Sequence, residues 1–337
     1  DVYRTLSATL LGLYPDNLDD LSALDALRVM SQYASIKKMY SIKGGNDRLP
    51  EALASSLNQQ QPTVFLNKPV SEVVYENNQW KISFTNQTET EFFDYVVMAT
   101  PLSMLQPKNP DAIKLPDLPE ERRNMLNEIP YAQSMARVYC EVDQRFWKTD
   151  AAATVNNANV VTNQPTFWIE DHTVAQAGTS AVIEAHTCNQ KGRDIQQDLD
   201  PKKAGQQAIA SVYGEQFTQH LASEKTTTVI WKDKHYQKGT YPYFRTGQRH
   251  IWAKLGNPIN GSFFIAGEYA TPNRPISMEG ALESAYRVVN EELLPAIQSS
   301  AAAARTVGLF APQHVSEERV SQQTENKPAS FRLCVML

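Results

Sequence analysis

The sequence predicts an α/β fold in which short, fully buried strands feed directly into helices. Three observations predict it. Tyr95-Val96-Val97-Met98-Ala99 and Phe263-Phe264-Ile265-Ala266 are continuous apolar runs of strand length, the pattern of strands covered on both faces. The second run leads through a loop into a helical stretch from Met278 to Leu293, and ligands bind at such strand-loop-helix junctions in open α/β sheets. Trp80, Ile82 and Phe84 alternate along the chain, so an antiparallel element with one wet face accompanies the buried strands.

From the beginning, residues 1 to 40 read as helical. Pro15, Asp16 and Asn17 form a start signal, and Leu18, Leu21, Leu24, Leu27 and Met30 recur near the helical period, a stripe expected to pack into the core. After Gly44-Gly45, Leu49 to Leu57 predicts a short helix with Pro50 in its first turn, where a missing amide proton costs nothing. Strands are expected over Val64 to Leu66, Val70 to Tyr75 and Trp80 to Phe84, with Glu76, Asn77 and Asn78 as a turn. Thr100-Pro101 stops the run that begins at Tyr95. Strands Ala136 to Val142 and Ala181 to His186, a helix over Lys202 to Tyr213 and a strand over Thr226 to Trp231 follow. The helix from Met278 is expected to turn Ala281, Leu282, Ala285, Tyr286 and Val289 inward. Beyond residue 298, Ala301 to Ala304 and Ser316 to Ser330 carry no apolar period and read as a flexible tail.

Composition narrows the function. A formal charge of -5 leaves no broad cationic surface to displace counterions from phosphates, which excludes a nucleic-acid partner. The widely spaced Cys140, Cys188 and Cys334 point to reduced thiols in a cytoplasmic setting rather than to a disulfide scaffold. The histidines lack paired ligand spacing, so no metal site is expected. No apolar run approaches the ~20 residues needed to span a bilayer. The segment Leu6 to Leu13 is short and interrupted by Ser7 and Thr9, with no basic region or Met before it, which reads as a chain beginning mid-protein.

Four motifs together resemble the flavin-containing amine oxidase family, to which monoamine and polyamine oxidases belong. They are Lys43-Gly44-Gly45-Asn46-Asp47-Arg48-Leu49-Pro50; the meander ending in Val96-Val97-Met98-Ala99-Thr100-Pro101; Trp231 with Tyr236, Gly239, Thr240 and Tyr241; and Ile265-Ala266-Gly267-Glu268 followed by Ser277-Met278-Glu279-Gly280-Ala281. The resemblance implies an incomplete FAD-binding, Rossmann-like domain from residues 41 to 103 and 231 to 298. It also implies a substrate domain with a mixed sheet and helices from 1 to 40 and 104 to 230, a tail over 299 to 337, and chemistry between the domains. The Met278 amide would face the flavin pyrimidine, because amides at a helix N-terminus stabilise the negative charge of a reduced flavin. Ser277 and Glu279 flank that amide, and Gly280 would let the backbone come close. Gly267 and Glu268 would lie beside the ribityl chain and diphosphate. Trp231 and Tyr236 would border the flavin, Val70 would meet adenine, and Tyr241 would form one aromatic wall guiding an amine.

The same comparison shows departures. Thr240 stands where some members carry the cysteine that links the flavin, so FAD would be non-covalent. Ser277 replaces the second aromatic wall. Arg137 falls where the family has a lysine that positions water near flavin N5, and arginine, bulkier and planar, serves equally as a carboxylate partner. No G-x-G-x-x-G occurs, so this chain is expected to hold the FAD diphosphate poorly. The leading expectation is amine oxidation with a small-molecule amine as substrate and oxygen as acceptor. The alternatives are a flavin oxidoreductase or desaturase acting on a non-amine, and a catalytically inactive, membrane-tethered interaction module. The tether would come from Cys334-Val335-Met336-Leu337, which fits a C-a-a-X prenylation box of the geranylgeranyl type, weighed beside chance occurrence. One such chain at Cys334 gives only reversible peripheral membrane attachment.

Overall fold

A computed structural model describes residues 18–35, 40, 42–58, 64–149, 160–162, 168–173, 176–197, 200–271, 273–300 and 332–336. The chain forms two compact units, one of residues 1–66 and 129–247 and the other of 67–128 and 248–337. The divisions at 66, 128 and 247 differ from those read at 40, 103 and 230. Backbone bonds explain two of the shifts. Ala132 N donates to Tyr241 O, Thr240 N to Ala132 O and Tyr243 N to Pro130 O, which ties 231–247 to the first unit. Val73 N donates to Lys114 O, and Lys114 N to Ser71 O, which ties the residues after 104 to the second.

The first unit holds an antiparallel sheet of strands β5 (Ala136–Val142), β6 (Val160–Val161), β7 (Trp168–Asp171), β8 (Ala181–Thr187) and β9 (Thr227–Ile230), in the order β6-β7-β8-β5-β9. Alternation gives it two unlike faces. Ala136, Val138, Cys140, Val142, Ile169, Ala181, Ile183 and Ala185 form a core with Ile195, Ala208, Ile209 and Phe217 from the helices behind. Residues between them in sequence, including Arg137, Tyr139, Glu170, Glu184 and His186, belong to the other face. The helix Pro201–Tyr213 starts where expected, with the Asp200 carboxylate accepting from Lys203 N at 3.1 Å. Helix Ala23–Ser35 corrects the sequence reading. Leu24 and Leu27 are exposed, whereas Asp25, Ala26 and Val29 are buried. The orientation follows a polar tether, since Ser22 N donates to Phe244 O and Phe244 N to the Asp25 carboxylate.

In the second unit, β1 (Val70–Glu76), β2 (Gln79–Phe84) and β3 (Thr90–Phe93) form an antiparallel meander. Asn77 and Asn78 both take positive φ, 52° and 63°, the two-residue turn that matches strand twist. Trp80, Ile82 and Phe84 are the buried positions of β2, as the alternation predicts. Val64 to Leu66 form no strand. A second, parallel sheet has the order β10-β4-β11, with β4 (Tyr95–Met98) central, β10 (Phe263–Ile265) on one side and β11 (Leu333–Met336) on the other. Tyr95, Val97, Phe264 and Ala266 pack with Val288 and Leu293 of the following helix. The strand at Leu333–Met336 corrects the expectation of a tail without structure there; Ala301–Ala304 and Ser316–Ser330 lie outside the described residues.

The helix Met278–Arg287 runs on through a π-helical turn, Val288–Leu293. It is rotated from the expected setting: Gly280, Ser284 and Val288 are buried, and Leu282, Tyr286 and Val289 are exposed. Hydrogen bonds set the rotation. Ser284 Oγ accepts from Gly267 N at 2.8 Å, and the Arg287 guanidinium donates to Ile265 O and Gly256 O, both at 2.9 Å. These bonds satisfy carbonyls and an amide at the end of a buried strand, which outweighs an apolar stripe whose burial is worth ~2 kcal/mol per side chain.

Candidate functional site

The junction between β10 and the Met278 helix gathers five of the residues singled out in the sequence. Gly267 leaves β10 at φ 153°, and a Cβ there would lie 2.4 Å from the Tyr269 ring, so only glycine fits. Tyr269 is itself fixed by its hydroxyl, which donates to Thr100 O at 2.9 Å. Glu268 then turns back, and its carboxylate accepts from Ile276 N at 3.1 Å. Ser277 caps the helix, its Oγ accepting from Gly280 N at 3.0 Å and donating to Arg274 O at 2.8 Å. Glu279 is paired with Arg274 at the surface, and Met278 is exposed.

Two features of this turn were not foreseen. Ile276 holds φ 60°, a region that a β-branched residue enters only when its surroundings force it. Gly280 does not leave room for a ligand; a Cβ there would stand 1.9 Å from Arg274 O, so the glycine serves the turn's own packing. The amides of Met278 and Glu279, the first two of the helix, have no hydrogen-bond partner among the described residues, and the helix dipole adds positive character there. Burial pushes the Glu268 carboxyl up to about 7, against the pull of the Ile276 amide. A carboxyl with its pKa raised to about 7 is far less ionised near neutral pH than an ordinary glutamate, and so repels an anionic neighbour at the two open amides less.

In the first unit, Arg137 lies on β5 beside Glu184 of β8, 3.2 Å away. Glu184 is fully buried. Burial alone would raise its carboxyl, but hydrogen bonds from His172 and His186 and the charge of Arg137 hold it at about 2. The bond to Glu184 raises His172. Tyr241, the other residue given a catalytic role, is close enough to add to the field on the Arg137 guanidinium. Trp231 begins a short 3-10 turn directly after β9, and its indole Nε1 is buried without a hydrogen-bond partner. Tyr236 is exposed on the following loop with its ring edge-on to His235, 4.5 Å between centroids. Val70 opens β1 in the second unit, opposite Phe84. Sequence reasoning missed Glu184, His172 and Glu170, which meet through strand register rather than through spacing along the chain.

Within the second unit, the turn at Met278 fits an anionic part of FAD, offering open amides beside a carboxyl of raised pKa. Within the first unit, the Trp231 indole N–H has no hydrogen-bond partner among the described residues. Thr240 is committed, with its hydroxyl on Ala132 O at 3.2 Å, and has no thiol to link a flavin.

A family model described as flavin containing amine oxidoreductase matches residues 3–291. Among curated proteins, lysine-specific histone demethylase 1 homolog 3 of Arabidopsis thaliana is 24% identical over 266 residues, covering 73% of this chain and 15% of that protein. Among solved structures, cyclohexylamine oxidase from Brevibacterium oxydans superposes with a TM-score of 0.69 at 14% identity, over 88% of this chain and 64% of that one. A putrescine oxidase variant from a redesign of cofactor binding superposes with a TM-score of 0.62 at 16% identity, over 75% of this chain and 53% of that one. The chain thus spans a minor part of the curated relative and just over half to under two thirds of the structural ones.

Proposed function

Because the chain belongs to the flavin-containing amine oxidoreductase family, whose cofactor is FAD, we propose that the protein oxidises an amine, with FAD held non-covalently and dioxygen as the final acceptor. The amine loses a hydride and a proton to become an imine, and dioxygen takes up two electrons and two protons to become hydrogen peroxide. The flavin supplies the hydride acceptor when bound. The observation that carries the reading is the Glu268 to Met278 turn, where a carboxyl of raised pKa and open helix amides form a seat for negative charge. Met278 and Glu279 would hold that charge through their amides, Ser277 would keep the first turn in place, and Glu268, its pKa raised by burial, would lie beside the diphosphate. Trp231 would donate its indole N–H to the ring system. Tyr241 would present one aromatic face to the amine and shed its water.

The two structural relatives are named for aliphatic amines, putrescine and cyclohexylamine, which makes an aliphatic amine the substrate class to test first. A second reading, flavin chemistry on a non-amine substrate, draws on Arg137, which is bound to Glu184 and so is not the free ammonium a lysine would offer. Incubating the full chain with FAD and screening aliphatic amines for peroxide release separates the two. Peroxide formed in proportion to amine supports the first reading. A flavin complex that no amine reduces under anaerobic conditions rejects it in favour of the second.

A further inference from the structure

The polar face of the five-stranded sheet carries a cluster that the amine reaction does not use. Register places Glu170 of β7 directly opposite Glu184 of β8, an arrangement of like charges that costs stability unless a cation sits between them. His172, two residues beyond Glu170, projects to the same side, and its Nε2 contacts the Glu184 carboxylate. Glu170, His172 and Glu184 each offer one ligand atom, and all three atoms lie within 4.8 Å of one another. Two groups on the inner side have unmet capacity. Glu184 Oε1 and His186 Nδ1, both buried, are held only by long contacts, 3.4 Å from each other and, for Oε1, 3.2 Å from Arg137. Arg137 lies 3.2 Å from Glu184 Oε1, and the partner of the second carboxylate, Glu170, is His172 Nε2 at 4.0 Å, itself a candidate ligand.

We propose that Glu170, His172 and Glu184 form a site for a divalent transition-metal ion of the zinc class, with His186 and Arg137 as its supporting neighbours. The chemistry of the donors selects the ion, because imidazole nitrogen with two carboxylate oxygens suits zinc and its neighbours better than magnesium or calcium. Zinc bonds such ligands at ~2.0–2.2 Å, which sets them about 3.4 Å apart in a tetrahedron. Reaching that spacing takes an inward shift of about an ångström by Glu170 and an outward one by His172, which now contacts Glu184 directly; these are the two less buried side chains, while Glu184 is held by the core. Arg137 then acts as the hydrogen-bonded partner that metal-binding carboxylates require, and the ion ties β7 to β8.

The test is calorimetric titration of chelator-treated, dialysed full chain with zinc chloride, with magnesium chloride as the comparison. The site predicts one zinc ion per chain and no magnesium heat. Glu170→Gln and His172→Asn, both at partly exposed positions, should each weaken zinc at least tenfold, measured at a temperature where the metal-free variants remain folded. His220→Asn, outside the cluster beside Asp143, should leave the affinity as it was. Absence of zinc binding overturns the proposal. So does binding that survives both cluster substitutions, or that falls equally with His220→Asn.

Discussion

Replacing Glu268 by Gln isolates the electrostatics of the turn at Met278. The carboxyl titrates at about 7 in the fold because burial disfavours its charge, against 4.5 as its ordinary value. An acid whose folded pKa is raised stabilises the fold fully below 4.5 and loses that contribution as pH rises through 7. At ~1.4 kcal/mol for each tenfold change in acidity, ionising Glu268 in place costs about 3 kcal/mol above pH 8. Gln keeps the neutral form and the oxygen that accepts from Ile276 N, so Glu268→Gln should remove this loss. Urea unfolding of both proteins at pH 5 and pH 8 measures it. The wild type should lose about 2.5 kcal/mol more than the variant over that interval, most of it between pH 5 and 7. Parallel pH dependence in the two proteins would refute the reasoning, since Glu268 would then ionise as freely in the fold as in the unfolded chain.

Glu184→Gln should cost about 3–5 kcal/mol, because the half-buried Arg137 guanidinium loses its counter-charge; a denaturant midpoint within error of the wild type would show that the pair is not holding the sheet. Gly280→Ala should cost about 2–3 kcal/mol in thermal unfolding, since the added methyl meets the Arg274 carbonyl at 1.9 Å and both sides of the clash are backbone. Trp231→Phe should leave stability within about 1 kcal/mol, as the lost N–H has no partner, while weakening FAD measured by flavin fluorescence; equal FAD affinity would remove Trp231 from the cofactor site.

What the sequence made legible followed from local pattern. The run at Tyr95, the alternation of Trp80, Ile82 and Phe84 and the Asn77-Asn78 turn each specify backbone and burial within a few residues, and the structure places all three as read. The Gly267 and Met278 motifs fall in one turn because strand, loop and helix are contiguous. What stayed hidden depends on partners far along the chain. Helix rotation at Ala23–Ser35 and at Met278–Arg287 is set by bonds to Phe244, Gly267, Ile265 and Gly256, so apolar periodicity pointed to the wrong face. Strand β11 pairs with β4 across more than two hundred residues, and no local signal announces it. Glu170 and Glu184 face each other only because a register between strands puts them there. Gly280 is the instructive case: the motif marked it correctly as a glycine position, but its cause is a carbonyl of the same turn.

The central claim is that the amide-bearing end of the Met278 helix is the seat of a flavin. Titrating FAD into the full chain while following its fluorescence tests it directly. Because the chain has no glycine-rich diphosphate loop, weak but saturable quenching at one FAD per chain is predicted, weakened further by Gly280→Ala under conditions where that variant remains folded. A chain that leaves FAD fluorescence unchanged at every concentration, or that binds it equally well with the turn disrupted, would contradict it.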